Sequence, residues 1–196
     1  MRNIGIIGAG SIGKAVTSHL LKAGFPVLIS NSKNPETLND IVQVLGDGAK
    51  AVIASDVIKA DIIILALPFS QVKSISNLCN WEGKIVIDAT NHFTQNFGVE
   101  YLGGKASSEV IKDLLPGARL VKAFNTLFFK VLEEEPAVGT GRRVLFISGD
   151  DEEAKLDVKE IIKAIGFAPI DLGSLVVGSK FQQAKGVFSG LNLVQI

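Results

Sequence analysis

The chain has 196 residues, of which 47% are hydrophobic, and its 20 Lys and Arg balance 20 Asp and Glu. With no basic cluster longer than Arg142-Arg143 it has no footprint for nucleic acid. Its longest unbroken apolar run, residues 62–67, is far short of the roughly 20 residues needed to cross a bilayer. A single cysteine, Cys79, excludes an internal disulfide framework and a multi-cysteine metal site, so the cytoplasm is the default compartment. The length suits one domain over residues 1–196, with a short C-terminal extension from about residue 172.

Short apolar runs alternate with helical periodicity. Residues 3–7 lead through Gly8-Ala9-Gly10-Ser11-Ile12-Gly13 into a helix whose apolar positions Ile12, Ala15, Val16, Leu20 and Ala23 share one face. This opening is no signal peptide, because the glycines and Lys14 interrupt its apolar character. Gly24 caps the helix and Pro26 forbids its continuation, which sets a second strand at 27–30. Asn34-Pro35-Glu36 opens the next helix. Strands are predicted at 49–54, 61–67 and 84–88, with a short helix over 70–78. Residues 91–105 read as a long loop, a kind that is usually functional or mobile.

Ser107-Ser108-Glu109 starts a helix that Pro116-Gly117 stops, and strands follow at 119–124 and 142–148. Asp150-Asp151-Glu152-Glu153 reads as the capped N-terminus of the last clear helix rather than a metal site. Beyond Asp171 only about a strand and a glycine-punctuated tail are expected. Most of the strands are apolar on consecutive residues, as when helices cover both faces of a sheet. The alternation predicts a doubly wound, mostly parallel α/β sheet, the Rossmann fold.

The glycine turn is the pyrophosphate cradle of a dinucleotide. Gly8 permits the tight turn, Gly10 admits the pyrophosphate to the backbone, and Gly13 lets helix and strand pack closely. The helix N-terminus at Ser11, Ile12 and Gly13 offers N–H groups to the anion. An NAD site would carry an acid at the end of the second strand. Here that strand ends in Ser30-Asn31-Ser32-Lys33, with no carboxylate before Glu36. Hydroxyls and a cation suit the 2′-phosphate of NADP, which a carboxylate would repel.

These residues resemble the NADPH-dependent reductases of the deazaflavin coenzyme F420, together with the cytoplasmic domain of six-transmembrane metalloreductases. The resemblance covers nearly the whole chain. It rests on the glycine turn, on Ile29-Ser30-Asn31-Ser32-Lys33, on Ile87-Asp88-Ala89-Thr90-Asn91 and above all on Val121-Lys122-Ala123-Phe124-Asn125-Thr126. It implies that Ser30, Ser32 and Lys33 hold the 2′-phosphate and that the ends of the fourth to sixth strands border the nicotinamide. Ligands bind at the carboxyl ends of such strands in any case. Leu67 and Pro68 are expected to form an apolar wall, Thr90 and Asn91 to line the site, and Asn125 to hydrogen-bond the nicotinamide carboxamide.

His19 lies on or beside a buried helix face and reads as packing, as do Trp81 and Cys79. Lys122, inside a strand, reads as a solvated or sheet-edge lysine. His92 opens the long loop and is the one weak candidate for a catalytic group. No triad, metal-ligand spacing or acid–base pair emerges, which fits hydride transfer between two stacked rings better than alcohol oxidation. The expected activity is therefore an NADP-dependent oxidoreductase whose small-molecule acceptor is a flavin or coenzyme F420, with a quinone fitting equally well. The alternatives are a non-catalytic NADPH sensor and a small hydroxyacid or imine reductase. The relatives that act on hydroxyacids carry a long helical domain after this fold. Its lack predicts a shallow site or one completed by a second subunit, with residues 181–196 as the candidate homodimer contact.

Overall fold

The computed structural model describes residues 2–94, 96 and 98–196. Its first half runs β1 (Ile4–Ile7), α1 (Ser11–Lys22), β2 (Val27–Ser30), a 3-10 turn (Pro35–Leu38), α2 (Asn39–Leu45), β3 (Ala49–Ala51), α3 (Ala54–Val57), β4 (Ile62–Leu65), a 3-10 turn (Phe69–Gln71) and α4 (Val72–Ile75). The second half runs β5 (Ile85–Asp88), α5 (Ser107–Leu114), β6 (Arg119–Lys122), α6 (Phe129–Glu133), β7 (Ala137–Val138), β8 (Gly141–Gly149), α7 (Glu152–Ala164), β9 (Ala168–Asp171), α8 (Leu175–Gln182) and β10 (Val194–Gln195).

The sheet has the order β10-β8-β6-β5-β4-β1-β2-β3, with β7 and β9 also paired to β8. The six strands from β3 to β6 are parallel, and β8 joins β6 antiparallel. This is the doubly wound fold expected from the alternating pattern. The chain reverses its direction of travel between β1 and β4, so a crevice opens at their carboxyl ends.

The consecutive apolar residues have a plain cause. Side chains alternate across a strand, so Ile4, Ile6, Ile62, Ile64, Ile85 and Ile87 pack with Val16, Leu20, Leu132, Val158 and Ile162. Their neighbours Ile63, Leu65, Val86 and Leu120 meet Val72, Trp81, Ile111 and Leu115 on the other face. His19 and Trp81 are packing residues, as expected. His19 Nε2 lies 2.7 Å from the Leu132 carbonyl, and Trp81 Nε1 donates to the Ser76 carbonyl at 2.7 Å.

Three expectations need correction. The run 49–54 is a strand only through Ala51, and its last residue begins α3. The helix expected over 70–78 shrinks to a 3-10 turn and α4. There the Ser74 and Ser76 hydroxyls bond the carbonyls three residues back, a local alternative to helix propagation. The tail beyond Asp171 holds another helix, α8. Gly178, one of the glycines of that tail, lies within this helix as its contact with the sheet: a Cβ there would stand 2.5 Å from that of Ser148.

The acidic run does cap α7. The Asp151 carboxylate accepts from the Ala154 N–H at 2.9 Å and takes both arms of the Arg119 guanidinium at 2.7 Å. The guanidinium holds the Asp151 carboxyl down to about 2. Among the described residues no cluster of His, Cys, Asp or Glu is placed to hold a metal, and no helix is long and apolar enough to cross a membrane. Asp151→Ala should cost about 1 kcal/mol at neutral pH. Because the folded carboxyl titrates below the ordinary 3.8, that contribution is present above 3.8 and fades as pH falls toward 2. Urea unfolding of both proteins should show their difference narrowing at pH 3.

Candidate functional site

The floor of the crevice is a backbone crossing. Gly8, just past β1, has φ +116°, and a Cβ on it would stand 2.1 Å from the Ala66 carbonyl oxygen beyond β4. A Cβ on Gly13 would stand 2.0 Å from the Gly8 carbonyl oxygen, so α1 reaches the turn only because both residues are glycine. Gly10 faces open space and is the N-cap of α1. No side chain caps α1 and no acid occupies its first turn, so the positive end of its dipole faces the cleft. Gly8 and Gly13 thus sit where a Cβ would collide with main chain, and Gly10 leaves open space over the helix N-terminus.

A cleft of about 850 Å³ lies over this turn, lined by Gly8, Gly10, Asn31, Ser32, Lys33 and Thr37 on one side and by Leu67, Pro68, Gln71 and Ser74 on the other. Among the described residues that line it, Lys33 alone is charged. The predicted phosphate quartet divides. Asn31 shapes the loop, its Oδ1 accepting from the Lys33 N–H at 2.9 Å and its Nδ2 donating to Thr37 Oγ1 at 2.9 Å. Ser32 and Lys33 stand exposed at the rim. Ser30 is fully buried and outside the lining, its hydroxyl without a partner.

A second cleft of about 340 Å³ shares Gly10, Ala66, Leu67 and Pro68 with the first and continues over the ends of β5 and β6. Leu67 and Pro68 therefore stand at the junction of the two. Ser11, Ile12, Thr90, Asn91, Asn125 and the aromatic residues Phe93, Phe128 and Phe129 complete the lining. Phe124 adopts φ +64°, a conformation rare for a non-glycine residue, and turns the chain just before Asn125.

The amide of Asn125 is committed within the protein. Its Nδ2 donates to Asn91 Oδ1 at 3.1 Å and to the Gln182 carbonyl at 2.8 Å, while Asn91 Nδ2 donates to the Asn125 carbonyl at 2.8 Å. Asn125 and Asn91 thus tie the ends of β6 and β5 together. The Asn125 Nδ2 protons are thus taken within the protein, while its Oδ1, 3.4 Å from Gln182 Nε2, stays on a residue that lines the second cleft. Thr90 differs: its side chain is buried, its Oγ1 has no partner, and it lines the second cleft.

Lys122 overturns its expectation most plainly. It is fully buried, because β8 pairs onto β6 and makes that strand interior. Its ammonium donates to Asp88 Oδ2 at 2.9 Å, to the Thr90 carbonyl at 3.1 Å and to Ser107 Oγ at 3.3 Å. Asp88 in turn accepts from the Thr90 N–H at 2.8 Å and from Ser108 Oγ at 2.6 Å. Both ends of Thr90 are thereby held by one buried ion pair.

His92 is buried behind this loop, edge-on to Phe69, and lines neither cleft. Burial, then the nearby Lys122, lowers its pKa and favours the neutral ring. Sequence reasoning missed the phenylalanines of the second cleft and Gln182. Phe128-Phe129, an aromatic pair just beyond the Asn125-Thr126 motif, was the available signal. Gln182, whose Nε2 donates to the Phe146 carbonyl at 2.9 Å and whose Oε1 accepts from Ser148 Oγ at 2.6 Å, had none.

A glycine turn beneath a helix N-terminus, at the switch point of a doubly wound sheet, defines a dinucleotide-binding domain. Residues 3–92 match the family described as NADP oxidoreductase coenzyme F420-dependent. The solved structure of hypothetical protein SMa0349 from Sinorhizobium meliloti is 41% identical, covers 100% of this chain and 97% of that one, and superposes with a TM-score of 0.95. A putative F420-dependent NADP-reductase from Arthrobacter sp. FB24 shares the fold at 22% identity, covering 89% of this chain and 86% of its own, with a TM-score of 0.76. Metalloreductase STEAP3 of Rattus norvegicus is 30% identical over 176 residues, which cover 88% of this chain and 34% of its own. The chain spans about a third of the length of the curated relatives it matches.

Removing one member of a buried ion pair strands the other. Lys122→Met should therefore lower stability by about 3–5 kcal/mol. Adding Asp88→Asn, which keeps an acceptor for the Thr90 N–H and removes the stranded charge, should recover part of the loss. Urea unfolding of the single and double variants reads both effects.

Proposed function

We propose that the protein is an NADPH-dependent reductase that passes a hydride to a flavin-like or deazaflavin ring. The observation that carries the donor half is the charge pattern of the larger cleft, where Lys33 is the one charged residue lining it. A ribose 2′-phosphate beside Lys33 and Ser32 gains charge-assisted hydrogen bonds. A carboxylate there, the mark of an NAD site, is missing from the lining. The turn at Gly8 to Gly13 leaves open space at Gly10 for a pyrophosphate, and the unpartnered Thr90 hydroxyl awaits a polar group at the far end.

The acceptor half rests on the second cleft. Among the described residues its lining holds no His, Asp, Glu, Lys or Arg, so none of them is suited to deprotonate an alcohol. NADPH, when bound, supplies the hydride and is left as NADP⁺, while the reduced acceptor draws its remaining proton from solvent. The chain's own part is to hold one ring against Leu67 and Pro68 and to present its face to the other, an orientation effect. Cys79 is half-buried and without a disulfide, and this reading places the protein in the cytoplasm. The exposed Phe181, Val187, Leu191 and Ile196 support a contact between two copies along the tail.

Stopped-flow titration tests the donor half. NADPH should bind at least about tenfold more tightly than NADH, and Lys33→Ala should erase about tenfold of NADPH affinity while leaving NADH within about twofold. Equal affinities in the unmodified protein would contradict the reading. Mixing the NADPH complex with flavins, coenzyme F420 and quinones tests the acceptor half. Tight NADPH binding with no oxidation by any of them would mark a binding protein instead.

A further inference from the structure

The side-chain amides of Asn91, Asn125 and Gln182 form a linked set whose orientation is fixed throughout. A primary amide can be turned over, exchanging its oxygen and nitrogen, so only partners that accept alone or donate alone decide which way it points. Backbone carbonyls accept alone, and each amide of this set points its nitrogen at one. The fully buried Gln182 sends its Nε2 to the Phe146 carbonyl at 2.9 Å and toward the Lys122 carbonyl at 3.4 Å. Asn91 sends its Nδ2 to the Asn125 carbonyl, and Asn125 sends its own to the Gln182 carbonyl, both at 2.8 Å.

Asn125 stands where these amides meet. Its Nδ2 faces two acceptors, the Gln182 carbonyl and Asn91 Oδ1, and its Oδ1 faces a donor, Gln182 Nε2 at 3.4 Å. Turned over, it would set oxygen against both acceptors and nitrogen against the donor. Gln182 therefore holds both ends of the Asn125 amide, one with main chain and the other with side chain. Both Asn125 protons are spent, whereas an amide oxygen has two acceptor sites and a contact of 3.4 Å is longer than a normal N–H···O bond. The atom that Asn125 keeps for a ligand is its oxygen.

Asn125 lines the second cleft together with Leu67 and Pro68, which also line the larger one. A dinucleotide whose phosphates occupy the larger cleft brings its nicotinamide to this junction, and that ring carries a carboxamide with an NH2 group. We propose that Gln182, on the C-terminal helix α8 and outside the lining of both clefts, is a positioning residue that aims Asn125 Oδ1 at this NH2 group. The site then selects a dinucleotide whose ring substituent donates a hydrogen bond. This rests on the donor reading for where the nicotinamide lies.

NADP⁺ and its 3-acetylpyridine analogue test it, because they share every phosphate and differ only in an amide NH2 replaced by a methyl group. Calorimetric titration reads both without requiring turnover, with 2′-phospho-ADP-ribose as the ligand that lacks the ring. NADP⁺ should bind about fivefold more tightly than the analogue. Gln182→Met, which keeps the length and removes the amide, should close that gap to within about twofold and leave 2′-phospho-ADP-ribose affinity unchanged; Gln182→Glu, of the same shape without the donor, should do the same. Ser148→Ala removes only the hydroxyl that donates to Gln182 Oε1 at 2.6 Å, so it should keep the gap. Equal affinity of the two dinucleotides in the unmodified protein, a gap that survives both Gln182 variants, or a gap that Ser148→Ala also closes would each overturn the proposal. If 2′-phospho-ADP-ribose binds and the two dinucleotides do not differ, the donor reading stands and the role of Gln182 falls; if none of the three binds, both fall.

Discussion

Everything in this molecule that resembles a functional site hangs on one backbone crossing. Gly8 passes so near the Ala66 carbonyl, and Gly13 so near the Gly8 carbonyl, that a single methyl group at either position would overlap main-chain atoms. Main chain cannot swing aside as a flexible side chain can. The crossing therefore fixes the first turn of α1 against the ends of β1 and β4. From that follow the open space at Gly10, the free N–H groups of the helix and the two clefts that meet there.

The two clefts divide the chemistry by charge. One has a lone lysine at its outer rim, on a loop that Asn31 stiffens from within. The other is neutral, apolar at Leu67 and Pro68 and aromatic at its mouth. Beneath its floor a fully buried Lys122–Asp88 pair holds the Thr90 peptide from both sides. A buried ion pair is no bargain in stability compared with well-packed apolar side chains. Its use here is directional, since it fixes the backbone that carries an unpartnered hydroxyl.

The sheet and the glycine turn were legible in the sequence because both follow from local rules: consecutive apolar residues for strands covered on two faces, and glycine where a Cβ would collide. The residues at the strand ends were legible as a group and not in their roles. Asn125 does line the second cleft, but its amide protons are taken by Asn91 and by the Gln182 carbonyl, far along the chain. Lys122 was expected in solvent, and only the antiparallel return of β8 makes its strand interior. The place of Gly178 within a helix follows from its proximity to Ser148. These are long-range pairings, which no periodicity within a strand or helix encodes.

The central claim is that the larger cleft is built for a 2′-phosphorylated dinucleotide. Calorimetric titration with 2′-phospho-ADP-ribose and with ADP-ribose isolates that claim, since neither carries a nicotinamide and they differ by one phosphate. The account predicts that the phosphorylated ligand binds at least about tenfold more tightly at low ionic strength, with the advantage falling as salt rises. Equal affinity, or tighter binding of ADP-ribose, would contradict it.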